Sequence, residues 1–367
     1  MKKIFFLFIL AGLYMVSDAQ LITPPNGGNK KAMVGERIGI TDVTIQYNRP
    51  AVKGREGKIW GQLIHTGFAD QGFGPSKSAP WRAGANENTM IEFSTPVKIE
   101  GKDLPAGKYA LFIAYDPSSP TIIFSKNSSS WGSYFYDDKE DALRVNVKPV
   151  ATDKNVEWLK YEFIDQTPTS ATIALLWEKQ MIPLKVETDY NNLQLESFRR
   201  ELRNEKGFNW TGWNQAAMFT VENDINLEEG LAWAEISIKE PFIGEKNFMT
   251  LSTKAQILKK LNRTAEADAV MKEAMPLANM QQLHGYARQL TAQKKSKEAF
   301  DAFKLNYDKH PNEFTTNVGM ARGYSTTGNF KKALEFARKA LAQSPDEGNK
   351  KSVENMITML EEGKDVN

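Results

Sequence analysis

The chain of 367 residues contains no cysteine. That excludes disulfides, a thiolate nucleophile and cysteine-ligated zinc or iron–sulfur centres. Histidine is nearly as scarce, with His65, His284 and His310 the three present. No two of them stand at a ligand spacing such as H-x-x-x-H, so no conventional zinc site is expected and neither metal nor cofactor is assigned. No G-x-S-x-G, P-loop or G-x-G-x-x-G segment occurs, and the glycine-rich run Gly72 to Ser78 lacks both P-loop spacing and a following helix. An excess of one charge is missing too: 47 Lys and Arg face 45 Asp and Glu. That balance gives no basis for expecting nucleic acid or a membrane surface as partner.

Apolar runs of membrane length are also absent. The longest, Ile4 to Val16, follows Lys2 and Lys3 and precedes Ser17-Asp18-Ala19. This is the layout of a secretory signal peptide, too short to span a bilayer. Residues 1–19 are therefore expected to be cleaved after Ala19, leaving a periplasmic or secreted protein with no membrane span. Without cysteine such a protein must hold itself together by core burial, which its length permits.

What is present falls into two halves. From Ile38 to about Thr188 the apolar residues alternate, as in "VTIQY", "KYALFIAY" and "LRVNV". Alternation marks half-buried strands, here separated by "EGKDLPAG", "DPSSP" and "DQTPTS" turns. "VEWLKYEFID" and "SATIALLWE" read as a hairpin, and "MIPLKVET" as one more strand that Pro183 pushes to an edge. After Tyr190 the period becomes helical. "NNLQLESFRRELRNEK" forms a first amphipathic helix. Beyond it "KSKEAFDAFKLNYDKHP" aligns with "NFKKALEFARKALAQSP", their final prolines 34 residues apart (311 and 345). Ala265, Ala299 and Ala333 repeat at 34, as do Ala269, Phe303 and Ala337. A 34-residue helix–turn–helix period ending in Pro is a tetratricopeptide signature. Four helix pairs are expected to start near Trp210, Phe248, Met280 and Phe314, with a capping helix after them. The fold class is thus α+β in two domains: a signal at 1–19, an antiparallel β-sandwich or barrel at 20–190, a linker helix at 191–209, and a tetratricopeptide-like α-solenoid at 210–367.

At "VTIQYNRPAVKGR", "WRAGANENTMIEF", "LPAGKYALF" and "WGSYFYDDKEDALRV" the β half resembles an exported β-rich domain of unknown function, family twenty-nine-eleven, typical of Bacteroidota. The resemblance covers roughly Gln20 to Thr188. It implies export and helical repeats behind the β domain, and no activity, so no catalytic residues carry over.

Candidate site residues come from two stretches. In "WRAGANENTMIEF", Trp81 should bury against the sheet, Gly84 let the chain bend, Asn86 take left-handed angles, and Arg82 pair with Glu87 across the loop. The same residues could orient a polar ligand. In "WGSYFYDD", Trp131, Tyr134, Tyr136 and Asp137 offer aromatic faces beside a carboxylate, as sugar- or peptide-binding sandwiches do. Alternation would put Tyr134 and Tyr136 on one face and Phe135 on the other. No catalytic residue is assigned. An alternative periplasmic hydrolase would use Glu87 as acid/base with His65, although glycoside hydrolysis normally needs a second facing carboxylate. The favoured expectation is a non-enzymatic scaffold: helical repeats engage a protein or peptide, and the β domain takes an envelope glycan or peptide.

Overall fold

The computed structural model describes residues 28–72 and 74–367, so the expected signal peptide lies outside the described residues. The chain divides into two compact units, with the boundary between Leu193 and Gln194.

The first unit holds two antiparallel sheets. Six strands, β1 (Lys30–Ile38), β2 (Thr41–Arg49), β3 (Thr89–Phe93), β6 (Gly107–Ala114), β7 (Thr121–Ser125) and β8 (Asp141–Asn146), lie side by side in that order. The second sheet runs β5 (Lys102–Leu104), β4 (Val97–Ile99), β10 (Ser170–Glu187), β9 (Val150–Ile164). One core joins them. Val43, Ile45, Ile91, Leu111 and Phe124 of the first sheet pack with Leu159, Ile173, Leu175, Trp177 and Val186 of the second. Two inner faces closing on a shared core make a sandwich.

Three details depart from the sequence pattern. β1 precedes the alternating run, because Lys30, Lys31, Glu36 and Arg37 mask its period; Ala32 and Val34 pack against the core, and Ile38 at its end is buried in it. Such charge suits the outer strand of a sheet. β6 is buried on both faces: Tyr109, Leu111 and Ile113 face the main core, while Ala110, Phe112 and Ala114 form a second cluster with Ile123 and Tyr136. "MIPLKVET" is not a separate edge strand. It is the second half of the 18-residue β10, which lies between β4 and β9. Pro183 is tolerated because it sits between two ladders: pairing with β9 ends at Met181, and pairing with β4 begins at Val186.

The second unit is built of helix pairs. α1 (Tyr190–Glu201) leads into α2 (Trp210–Asn223) with α3 (Leu227–Lys239), then α4 (Phe248–Lys260) with α5 (Thr264–Ala274). α6 (Met280–Ala292) with α7 (Ser296–Lys309) and α8 (Phe314–Thr326) with α9 (Phe330–Ala342) follow, and α10 (Glu347–Glu361) packs on α9. The pairs begin at the residues where the repeat pattern puts them. The reason is local: Asn247 and Asn279 each accept from the backbone N–H three residues on, and Thr250 and Gln282 reciprocate, closing capping boxes.

The repeat register needs one correction. Ala265 and Ala269 are exposed, whereas Ala267 and Met271 are buried. The buried Ala positions are therefore 267, 299 and 333, at intervals of 32 and then 34 residues, matching the helix starts at 264, 296 and 330. A bare 34-residue count lands on Ala265, because Ala occurs at 265, 267 and 269 alike. Met271 takes the place of Phe303, which is fully buried; a side chain of that size contributes about 1.5–3 kcal/mol on burial.

Candidate functional site

Between β2 and β3 the chain makes a long irregular connection, residues 50–88. Loops of this length within a compact domain are uncommon, and are usually either functional or linker-like. This one is fastened to both sheets by single bridges: Ala51 to Trp158, Gly67 to Tyr115, and Trp81 to Ile113.

The Trp81 end is tightly built. Trp81 exchanges backbone hydrogen bonds of 2.9 and 2.8 Å with Ile113, and its indole N–H donates to the Gly84 carbonyl at 3.0 Å. The Ala83 carbonyl accepts from the Tyr161 and Thr89 hydroxyls at 2.8 and 3.1 Å. Asn86 does take a left-handed conformation, φ 58°. The bend at the middle of the loop falls on Ala83, φ 50°, and not on Gly84. Gly84 is needed for close approach instead, since a Cβ there would lie 2.7 Å from the Thr89 hydroxyl and 3.1 Å from the Asn48 carbonyl.

The expected Arg82–Glu87 ion pair does not form. Arg82 Nη1 donates to the Asn86 carbonyl at 2.7 Å. Glu87 accepts from the Asn48 side chain and lies 3.7 Å from Lys31. Asn86 joins the same polar row, accepting from Asn29 at 3.1 Å. The guanidinium of Arg82 turns the other way, beneath Gly132, whose left-handed backbone (φ 55°) leaves room where a Cβ would collide with it. No carboxylate pairs with Arg82 among the described residues, and burial lowers its pKa.

Arg82 opens onto a cavity of about 450 Å³ lined also by Arg55, His65, Gln71, Trp81 and Trp177. Arg55 donates to the Val52 and Ala51 carbonyls at 2.9 and 2.7 Å and has no carboxylate partner among the described residues. Both ring nitrogens of His65 are buried without a hydrogen-bond partner among the described residues, as are the indole nitrogens of Trp60 and Trp177. Trp60 stands 5.6 Å from Trp81 and 6.0 Å from Trp177, so these groups surround one place. Among the described residues, not one Asp or Glu lines the cavity. Glu178, buried beside Trp177, accepts from the Gly57 N–H and stays outside it. The result is a cationic, donor-rich concavity with no built-in counter-ion.

A second cavity, about 510 Å³, is lined by Phe68, Lys77, Phe135, Tyr136, Asp137 and Arg144, among others. Its charges are matched. Asp141 accepts from Tyr136 (2.8 Å) and from Arg144 (2.6 Å), and Arg144 also donates to the Tyr136 hydroxyl at 2.9 Å. Burial pushes both Tyr136 and Asp141 up in pKa. Asp137 caps a short 3-10 turn by accepting from Lys139 N–H at 3.0 Å. Residues 131–137 are turn and not strand, so alternation does not apply to them. Tyr134 and Phe135 are both exposed, while Tyr136 turns inward against Phe112.

The structure thus brings His65, Trp81 and Arg82 together and puts Tyr136 and Asp137 in another cavity. Asn86, Glu87, Trp131 and Tyr134 line neither. Sequence reasoning missed Arg55, Trp60 and Trp177. Arg55 and Trp60 carry no periodic signal, and Trp177 is hidden inside an apolar strand.

The family model described as a protein of unknown function (DUF2911) matches residues 29–186, the β-rich region, in line with the four sequence blocks. No curated protein matches the chain. Among solved structures it is similar to YrrB, described as a TPR protein with an unusual peptide-binding site, at 18% identity and TM-score 0.29, over 46% of this chain and 89% of that one. A MamA structure, MSR-1 C2, is similar at 10% identity and TM-score 0.26, over 42% of this chain and 95% of that one.

Proposed function

We propose that the protein is an exported, two-part binding protein. Its β domain takes the acidic group of an envelope glycan or peptide, and its helical repeats engage a protein or peptide partner. Export is inferred from the signal-type first 19 residues.

One observation carries the ligand reading: Arg55, Arg82 and His65 line a single cavity that no carboxylate of the described residues lines. A partly buried guanidinium without a counter-ion is costly to the folded chain. An anion entering the cavity removes that cost and stabilises the fold in proportion to its affinity. Arg suits the task because its planar fork binds carboxylate or phosphoryl groups in bidentate fashion. The hydrolase alternative has no comparable support. Glu87 is engaged with Asn48 and Lys31, and it does not share a cavity with His65.

Calorimetric titration of the mature chain, isolated from the envelope fraction so that its mass also reports cleavage after Ala19, tests the proposal. The ligands are a uronate disaccharide, its neutral counterpart, and an acetylated Asp dipeptide with its Asn analogue. Saturable heat is expected from an acidic member and not from its neutral twin, and the responding pair tells sugar from peptide. Equal responses within both pairs, or none from any, would refute an anion site.

A further inference from the structure

The helical unit has its own cationic concavity, and a piece of the chain already sits in it. A groove of about 570 Å³ runs between α6 and α8, lined by Arg288, Lys294, Ser296, Arg322, Thr326 and Asp365, among others. Of these, Asp365 alone is acidic, and it belongs to the segment that follows α10.

That segment arrives by a defined turn. Gly363, φ 71°, ends α10; its N–H donates to the Leu360 carbonyl and the Lys364 N–H to the Met359 carbonyl, at 3.1 and 2.8 Å. This pair of bonds about a left-handed glycine reverses the chain. Residues 365–367 then lie along α8. Arg322 Nη1 donates to the Val366 carbonyl at 2.8 Å, and the Ser325 hydroxyl donates to Asp365 at 2.6 Å while accepting from the Val366 N–H at 3.1 Å. The Val366 side chain, 9% exposed, enters the apolar cluster of Ala321, Ala333, Ala337, Met356 and Leu360. The backbone, one carboxylate and one aliphatic side chain are all recognised, which is how a groove reads an extended peptide.

The groove is not electrostatically complete. Arg322 lies half-buried beside Arg288; burial first, then the charge of Arg288, lowers its pKa, and Asp365 offsets this in part. Arg288 itself is exposed and has no carboxylate partner among the described residues. Lys294 adds a third cation. With the tail removed, the groove would hold three cations and no acid.

We propose that the α6–α8 groove is a binding site for an acidic peptide containing an Asp followed by a small aliphatic residue, and that Asp365–Val366 occupies it in cis. A partner peptide with a further carboxylate for Arg288 displaces this segment. The inference rests on the reading of the helical repeats as a partner arm and names the chemistry of that partner.

The test uses the full mature chain and a fluorescent, amidated peptide of sequence EEGKDVN, so that no chain terminus enters the recognition. Anisotropy is compared for the wild type, for Asp365→Ala/Val366→Gly, which frees the groove, and for the same variant with Arg322→Ala. At least tenfold tighter binding is expected when the tail is detached, and its loss with Arg322→Ala. Equal binding by wild type and detached-tail chain overturns cis occupancy and leaves a partner arm standing. No binding by either overturns the site. Should the variant fail to fold, hydrogen exchange in the wild type serves instead: saturating peptide must speed exchange at Val366, and unchanged protection contradicts the proposal.

Discussion

Arg82 and His284 show how burial acts differently on two basic side chains. Arg82 is a cation held beneath Gly132, with the Asn86 carbonyl as acceptor and no counter-ion among the described residues. His284 is the reverse case. It packs edge-on against Phe303, 5.6 Å away, and its pKa falls to about 4, chiefly by burial and then by the charges of Arg322 and Arg288. A folded pKa below the unfolded one means the unfolded chain binds the proton first, so stability is lost as pH falls from about 6.5 toward 4. The loss reaches at most about 3 kcal/mol. The urea midpoint should therefore drop between pH 7 and pH 4.5, and His284→Leu should flatten that drop; an unaltered slope would rule His284 out. Little of this was legible beforehand. Trp81, Arg82 and Asn86 stand out as odd residues in a short stretch, but their neighbours decide their roles. Arg55 and His65 reach the same cavity from 27 and 17 residues upstream of Arg82, with no spacing to announce them.

Elements were far more legible than sites, because periodicity is a property of elements. Alternation marks β2, β6 and β8, and the repeat pattern marks the starts of α4 and α6. The failures have one cause, a pattern overwritten by a second demand. Edge charge hides β1. Three alanines in a row of alternate positions disguise the repeat register at α5. That correction is directly testable. Ala267 is buried between helices and Ala265 is exposed. Ala267→Leu should overpack the pair and cost about 1–3 kcal/mol, while Ala265→Leu should stay within about 0.5 kcal/mol of wild type. Chemical denaturation of the two variants decides between the registers; the opposite order would restore the uniform 34-residue period.

For the molecule as a whole, near-neutrality conceals a local imbalance. Across the sequence 47 basic residues meet 45 acidic ones. Each folded unit nevertheless has a concavity where cations collect: Arg55 and Arg82 in the β domain, Arg288, Lys294 and Arg322 in the helical one. In the second a segment of the chain supplies the missing acid; in the first no described residue does. That difference is what makes the β cavity the stronger candidate for a ligand from outside. The most direct test is the melting temperature of Arg82→Met, with and without the acidic ligand that binds wild type. Met keeps the aliphatic bulk and removes an unpaired charge at the loss of one hydrogen bond, so the ligand-free variant should melt at or above wild type. It should also lose the ligand-induced rise. A variant that melts well below wild type yet keeps the full rise would contradict the account, because Arg82 would then serve the fold and not the ligand.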